Sequence, residues 1–174
     1  MDEERLSQWL IRQHRQLDEA LQQISDGAGD LMRLREGVDL LRLHLWVEEE
    51  VLFDAVARTG LTMPIYIMQY EHAQMWPLLE ELAAACEADD TVPAKLREPC
   101  RALHKLLQVH NLKEEDLIYT AVDRLAASEG SAIRNRLTAA REASMPAGWI
   151  CRGRRDGFAP PPGAPPWPPG GRVV

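Results

Sequence analysis

Two stretches, His44-Leu45-Trp46-Val47-Glu48 and His110-Asn111-Leu112-Lys113-Glu114, carry the side chains with the most chemistry to offer. Each sets an imidazole four residues before a carboxylate, so on a helix both heads leave one face about one turn (~5.4 Å) apart. That face is the apolar one. Leu40, Leu41, Val51, Leu52 and Ala55 flank the first pair; Leu103, Leu106, Leu107, Leu117 and Ala121 flank the second. A glutamate aimed into a core must be neutralised or bonded to something strongly positive. Two of them, each beside a histidine, point to one shared metal site in the middle of a helical bundle.

The elements that must hold these residues follow from hydrophobic period. Leu6, Leu10, His14, Leu17, Leu21 and Ile24 predict a helix over about 3–25, ended by Ser25-Asp26-Gly27-Ala28-Gly29-Asp30. A second helix over about 30–58 carries His44 and Glu48, with Gly60 as a left-handed C-terminal cap. Thr62 and Pro64 open a third, whose inner face is Ile65, Met68, His72, Met75, Leu79 and Leu82 and which Pro77 should kink. After a break at 88–91 the fourth helix runs to about Ala127. Pro93 suits its first turn, and Pro99 marks a bend or a delayed start. A break at 128–131 precedes a short amphipathic helix over about 132–143. No segment shows strand period. The fold expected is all-α, an antiparallel up-down four-helix bundle over 1–145 with a short extra helix.

From 146 to 174 the composition changes. Eight of the twelve prolines fall there, with Arg152, Arg154, Arg155 and Arg172 against Asp156. Such a stretch buries too little to fold alone and reads as a flexible tail, with Trp149, Ile150, Phe158 and Trp167 able to dock on the bundle or on a partner protein. The whole chain of 174 residues allows one domain with a real core. A net charge of -7 without a basic stripe before the tail excludes a nucleic-acid partner, and no stretch is apolar enough to span a membrane. Cys86, Cys100 and Cys151 are too few for a disulfide framework, and the acidic start Met1-Asp2-Glu3-Glu4-Arg5 has no signal-peptide character. A cytoplasmic setting fits best.

Four histidines, His14, His44, His72 and His110, fall one per helix near mid-length on the inward face. Imidazole suits iron, zinc and copper; carboxylate suits harder ions or bridges two of them. With Glu48 and Glu114 the set exceeds what one tetrahedral zinc needs and suits two metals, two histidines on each with the glutamates between. Rival patterns fail. The residues three before His44, His72 and His110 are Leu41, Gln69 and Leu107, which is not the Glu-x-x-His of ferritin-like sites. The zinc-peptidase pattern His-Glu-x-x-His is missing as well. His104, about 120° round the helix from His110, reads as a surface or supporting group. Glu49, Glu50, Glu71, Glu115 and Asp116 read as solvated acids, with Glu71 or Asp116 as alternatives for orienting a ligand imidazole. Tyr66, Tyr70, Tyr119, Met68, Met75, Cys86 and Cys100 read as core, with a hydrogen bond to a bound small molecule the alternative for the tyrosines, an oxygen path for the methionines and redox pairing for the cysteines.

The order His, His-x3-Glu, His, His-x3-Glu, spread over about residues 1–127, resembles the hemerythrin-like or HHE cation-binding family. The resemblance implies a non-haem centre of two iron ions with an oxo or hydroxo bridge, held by His14, His44, Glu48, His72, His110 and Glu114; other divalent metals are possible. Two departures from the oxygen carriers stand out: Trp76 replaces a further histidine on the third helix, and His110-x3-Glu114 replaces His-x4-Asp. A site without that histidine is more symmetric and more open, able to admit oxygen, nitric oxide or peroxide at either ion. That is closer to bacterial di-iron proteins of nitrosative stress and iron-centre repair. The alternative is a metal- or redox-sensing interaction module whose C-terminal tail contacts a partner.

Overall fold

Why the helices start and stop where they do is read from a computed structural model that describes residues 5–88, 91–142 and 145–161. Helix α1 (Leu6–Ser25) buries one stripe, Leu10, His14, Leu17, Leu21 and Ile24, at the expected spacing. It ends at Gly27, whose φ of 81° suits a residue without a Cβ. Helix α2 (Leu31–Val47) is capped by Asp30, whose carboxylate accepts the Arg33 backbone N–H at 2.8 Å. It passes through a wide π-helical turn, Glu48–Leu52, into α3 (Phe53–Ala57) without a break. Gly60, at φ 95°, closes the rod as its cap.

Helix α4 (Thr62–Glu87) runs through Pro77 unbroken. An interior proline costs about 3 kcal/mol. Leu79 and Leu82 lie beyond it and are both 0% exposed; burying each contributes roughly 1.5–3 kcal/mol, enough to hold the helix together. A short 3-10 turn, Pro93–Leu96, delays the start of α5 (Arg97–Lys113), which places Pro99 harmlessly in a first turn. A second π turn, Glu114–Tyr119, leads into α6 (Thr120–Glu142).

The break expected at 128–131 does not exist: α6 continues to Glu142 and absorbs the short extra helix. Ile133, Leu137 and Ala140 are buried in the same cluster as Val51, Phe53 and Ile65. One glycine inside a helix costs about 1 kcal/mol, less than burial of Ile133 and Leu137 returns. Among the described residues there is no strand.

Two apolar clusters order the bundle. One contains Leu10, Val51, Met68 and Ile118; the other contains Leu17, Leu41, Met75 and Leu107. Along α1 and α4 the chain passes from the first cluster to the second, and along α2, and along α5 with the π turn after it, from the second to the first. The helices are therefore up, down, up, down. Each packs on its neighbour in sequence, and α5 returns to α1 to close the ring. The Ser7 backbone N–H and hydroxyl donate to the Asp123 carboxylate at 3.2 and 2.7 Å, fastening the start of α1 to α6.

Residues 146–161, expected within a flexible tail, are packed on the bundle. The short helix α7 (Arg152–Arg155) lies against α4, and Cys151 is 0% exposed. Trp149 meets Trp76 edge-on, Phe158 stacks on Tyr66, and the Tyr66 hydroxyl donates to the Ala159 carbonyl at 2.9 Å. Aromatic area supplies the docking energy that the rest of this composition lacks. Trp167 and the remainder of the tail lie outside the described residues.

Candidate metal centre

Between the two apolar clusters, each helix contributes its histidine to one layer. His14, His44, Glu48, His72, His110 and Glu114 meet there, each at most 2% exposed. Their donor atoms form two groups, His14, His44, Glu48 and Glu114, then Glu48, His72, His110 and Glu114; within each group all lie within 4.8 Å of one another. Both glutamates serve both groups. Glu48 spans the halves, with Oε1 3.0 Å from His44 Nε2 and Oε2 3.5 Å from His72 Nε2. Glu114 Oε2 stands 3.4 Å from Nε2 of both His14 and His110.

A hydrogen bond on the outer nitrogen aims each imidazole. His14 Nδ1–H donates to Glu115 at 2.9 Å, His44 to Gln13 at 2.8 Å, His72 to Glu49 at 2.8 Å and His110 to Glu71 at 2.9 Å. These oxygens only accept, so Nδ1 carries the proton and Nε2 points a lone pair inward. Inward nitrogens then face one another, His14 and His44 at 3.0 Å, His72 and His110 at 3.2 Å. Two lone pairs so close need a proton or a cation between them. Among the described residues Glu48 Oε2 and Glu114 Oε1 are buried with no hydrogen bond, each a cost of about 1–3 kcal/mol or more for a charged group. Inward imidazole nitrogens, orphaned carboxylate oxygens and two shared carboxylates fit a pair of divalent cations, and the nitrogen-oxygen donor set suits iron.

The sequence around the two carboxylates repeats. His44-Leu-Trp-Val-Glu48-Glu49-Glu50-Val-Leu-Phe53 has its counterpart in His110-Asn-Leu-Lys-Glu114-Glu115-Asp116-Leu-Ile-Tyr119. The structure repeats with it. Glu49 aims His72 and Glu115 aims His14, while Phe53 stacks on His72 and Tyr119 on His14, with centroids 5.6 and 5.4 Å apart. A π turn begins at the glutamate of each His-x3-Glu pair, a feature common at functional sites. In a regular helix the fifth residue after a glutamate falls about 140° round the axis. The wider turn brings Tyr119 back over the cluster instead and rotates Leu117 out, leaving it 48% exposed.

Tyr119 is the principal residue that spacing alone did not reveal. Its hydroxyl donates to Glu48 Oε1 at 2.6 Å and lies 3.0 Å from His14 Nε2 and 3.3 Å from Glu114 Oε2. Phe53 offers nothing of the kind to the other half. Glu49 and Glu115, expected as surface acids, are orienting groups, because the π turns carry them inward. Glu71 fulfils the orienting alternative and is itself held by Lys113; Asp116 is exposed. His104 pairs with Asp18 at 3.4 Å and stays out of the cluster. Trp76 is 2% exposed, its indole N–H without a partner among the described residues.

Without cations, protons do the neutralising. Burial opposes charge on His110, yet the Glu114 carboxylate, with Glu71 and Glu48, pushes it up to about 10. Burial also opposes charge on His14, which Glu114, Glu48 and Glu115 nonetheless raise. Burial would raise Glu114; His110 and His14 hold it well below the usual carboxylate range. Burial, then the Glu114 and Glu48 charges, holds the Tyr119 phenol well above its ordinary value.

Comparison with curated proteins and with solved structures gave no match. A family model described as the hemerythrin HHE cation binding domain matches residues 5–122, and those residues include all six of the clustered donors. The chain belongs to the hemerythrin HHE cation-binding family.

Proposed function

We propose that this chain holds two non-haem iron ions, one by His14 and His44, the other by His72 and His110, with Glu48 and Glu114 shared between them. The observation that carries the reading is the pair of shared, buried carboxylates, each with an oxygen that accepts no hydrogen bond among the described residues. Iron held there supplies one-electron redox change and open positions for a small ligand. The protein's own part is positioning and exclusion. Glu115, Gln13, Glu49 and Glu71 fix the imidazoles, and Tyr119 holds Glu48 by its hydroxyl. Leu10, Val47, Phe53 and Ile118 wall the layer from water at one end, and Leu17, Leu45, Met75 and Leu107 at the other. A layer so buried admits only a small molecule, so the ligand is oxygen, nitric oxide or peroxide, in a role such as stress response or iron-centre repair. No helix among the described residues is long and apolar enough to cross a membrane, and all three cysteines are free, which supports a cytoplasmic setting.

Anaerobic purification, ferrous reconstitution and iron analysis with Mössbauer spectroscopy test the reading. Two coupled irons per chain are expected. Glu48→Ala and Glu114→Ala should each abolish binuclear binding, while His104→Ala keeps it; equal loss in His104→Ala refutes the ligand set. The second reading, a sensing module that signals through its tail, is favoured by one contact. The tail backbone donates a hydrogen bond to Glu49, the residue that aims His72.

A further inference from the structure

Of the four groups that aim the imidazoles, Glu71 is held by the Lys113 side chain, whereas Glu49 is held by the backbone of the C-terminal segment. Glu49 Oε1 accepts His72 Nδ1–H at 2.8 Å, and its Oε2 accepts the backbone N–H of Arg152 at 2.7 Å, 103 residues away. The repeat supplies an internal control. Glu115, the counterpart of Glu49, has a side chain 35% exposed, whereas that of Glu49 is 0% exposed. The covering of the one and not the other coincides with the segment 149–159.

That segment is seated on the turn of α4 that presents His72. A Cβ on Gly153 would lie 2.5 Å from the Gln69 carbonyl oxygen and 2.8 Å from Ala73 Cβ, so only glycine allows this backbone approach. The Arg152 guanidinium meets Asp54 at 3.0 Å and Glu50 at 3.6 Å, and the Trp149 indole N–H donates to Glu50 at 3.3 Å. Three acids around the His72 half are thus engaged by one short stretch of chain.

We propose that residues 149–159 are a strap whose docking is coupled to cation binding at the His72–His110 half of the cluster, with Glu49 as the positioning residue that links the two. The proposal rests on the reading that the cluster binds cations. With the strap docked, Glu49 is dry and its second oxygen is satisfied, so the carboxylate has one orientation and so does His72. With the strap released, Oε2 loses its donor, water reaches the carboxylate and the imidazole is no longer fixed. The coupling runs both ways. A cation that fixes His72 fixes Glu49, and so favours the docked strap by the same factor by which the strap favours the cation.

The test uses the full chain, an anaerobic ferrous titration, and alkylation of Cys151 followed by mass spectrometry. Cys151 is 0% exposed and burial pushes its thiol up to about 12, so it reacts only when the strap is off. Gly153→Val expels the strap without touching a donor. Glu49→Gln keeps an acceptor for His72 and sets an amide N–H against that of Arg152. In each variant one of two ferrous ions should bind about 10- to 100-fold more weakly, the usual cost of losing such an orienting contact, and the other should be unchanged. In the native chain, iron should slow Cys151 alkylation by a matching factor. Two ions bound at native affinity by Gly153→Val, with Cys151 freely reactive, would overturn the coupling and leave the metal reading standing. Iron-independent alkylation in the native chain, which needs no variant to fold, would overturn it equally. A native chain that takes up no iron overturns the metal reading itself, at an earlier step.

Discussion

Glu114→Gln in the metal-free protein isolates the electrostatics of the cluster. Glu114 is what holds a proton on His110, raising that imidazole from 6.5 to about 10 against the pull of burial. A histidine whose folded value exceeds its unfolded one contributes stability that is complete below 6.5 and disappears as pH rises through about 10. One proton held by the folded and not the unfolded chain gives a slope of up to about 1.4 kcal/mol per pH unit. Urea unfolding of the metal-free native chain at pH 7, 8 and 9 should therefore show stability falling by about that amount per unit. With glutamine at 114 the largest charge raising His110 is gone, leaving Glu71 and Glu48 against burial, and the slope over the same window should shrink. The acid side mirrors this: the lowered Glu114 contributes stability above 4.5 that is lost as pH falls, and the variant lacks it. Cation-loaded native protein should also be flat from pH 7 to 9, because the cations stand where the protons stood. A variant slope equal to the native slope would refute the assignment of that proton to the Glu114–His110 pair.

Tyr119→Phe removes the hydroxyl that satisfies Glu48 and should cost the metal-free protein about 1.5–3 kcal/mol, roughly 3–12 °C in Tm by calorimetry. Asp123→Ala frees the first turn of α1 from its partner on α6 and should cost about 0.5–2 kcal/mol by urea unfolding. Leu21→Ala, in the apolar cluster away from the donors, should cost about 2–5 kcal/mol while iron analysis still finds the native stoichiometry.

The bundle was legible because each helix repeats an apolar residue every three or four positions; the clustering of the six side chains was legible because His-x3-Glu keeps α-helical spacing and His14 and His72 fall on the apolar stripes of their helices. Helix ends were legible where glycine or proline chemistry is unavoidable, as at Gly60 and Pro99. The long α6 was not, since Ser128 to Ser131 reads as a break until Ile133 and Leu137 find a cluster to enter. Glu49 and Glu115 were read as surface acids, and Tyr119 as core before hydrogen-bonding group, for a single reason: a π turn changes which residues share a face, and period arguments assume the α-helix. The signal that could have found them is the ten-residue echo itself. Placing Phe53 against Tyr119 and Glu49 against Glu115 marks both pairs as equivalent before any coordinates are known.

That echo also corrects the expectation of a symmetric centre. The six donors are matched, half for half, but what stands behind them is not. The His14–His44 half has a neutral amide on His44, a partly exposed acid on His14 and a phenol reaching its nitrogens. The His72–His110 half has a carboxylate on each imidazole, no phenol, and one of those carboxylates sealed by the strap. An imidazole backed by a carboxylate is the more basic donor, so the second half is the stronger site for a cation. The phenol, the one hydroxyl donor in the layer among the described residues, sits in the first. Two like ions placed in such surroundings would be inequivalent although the side chains facing them are the same, and the loss of the histidine replaced by Trp76 does not by itself make the halves alike.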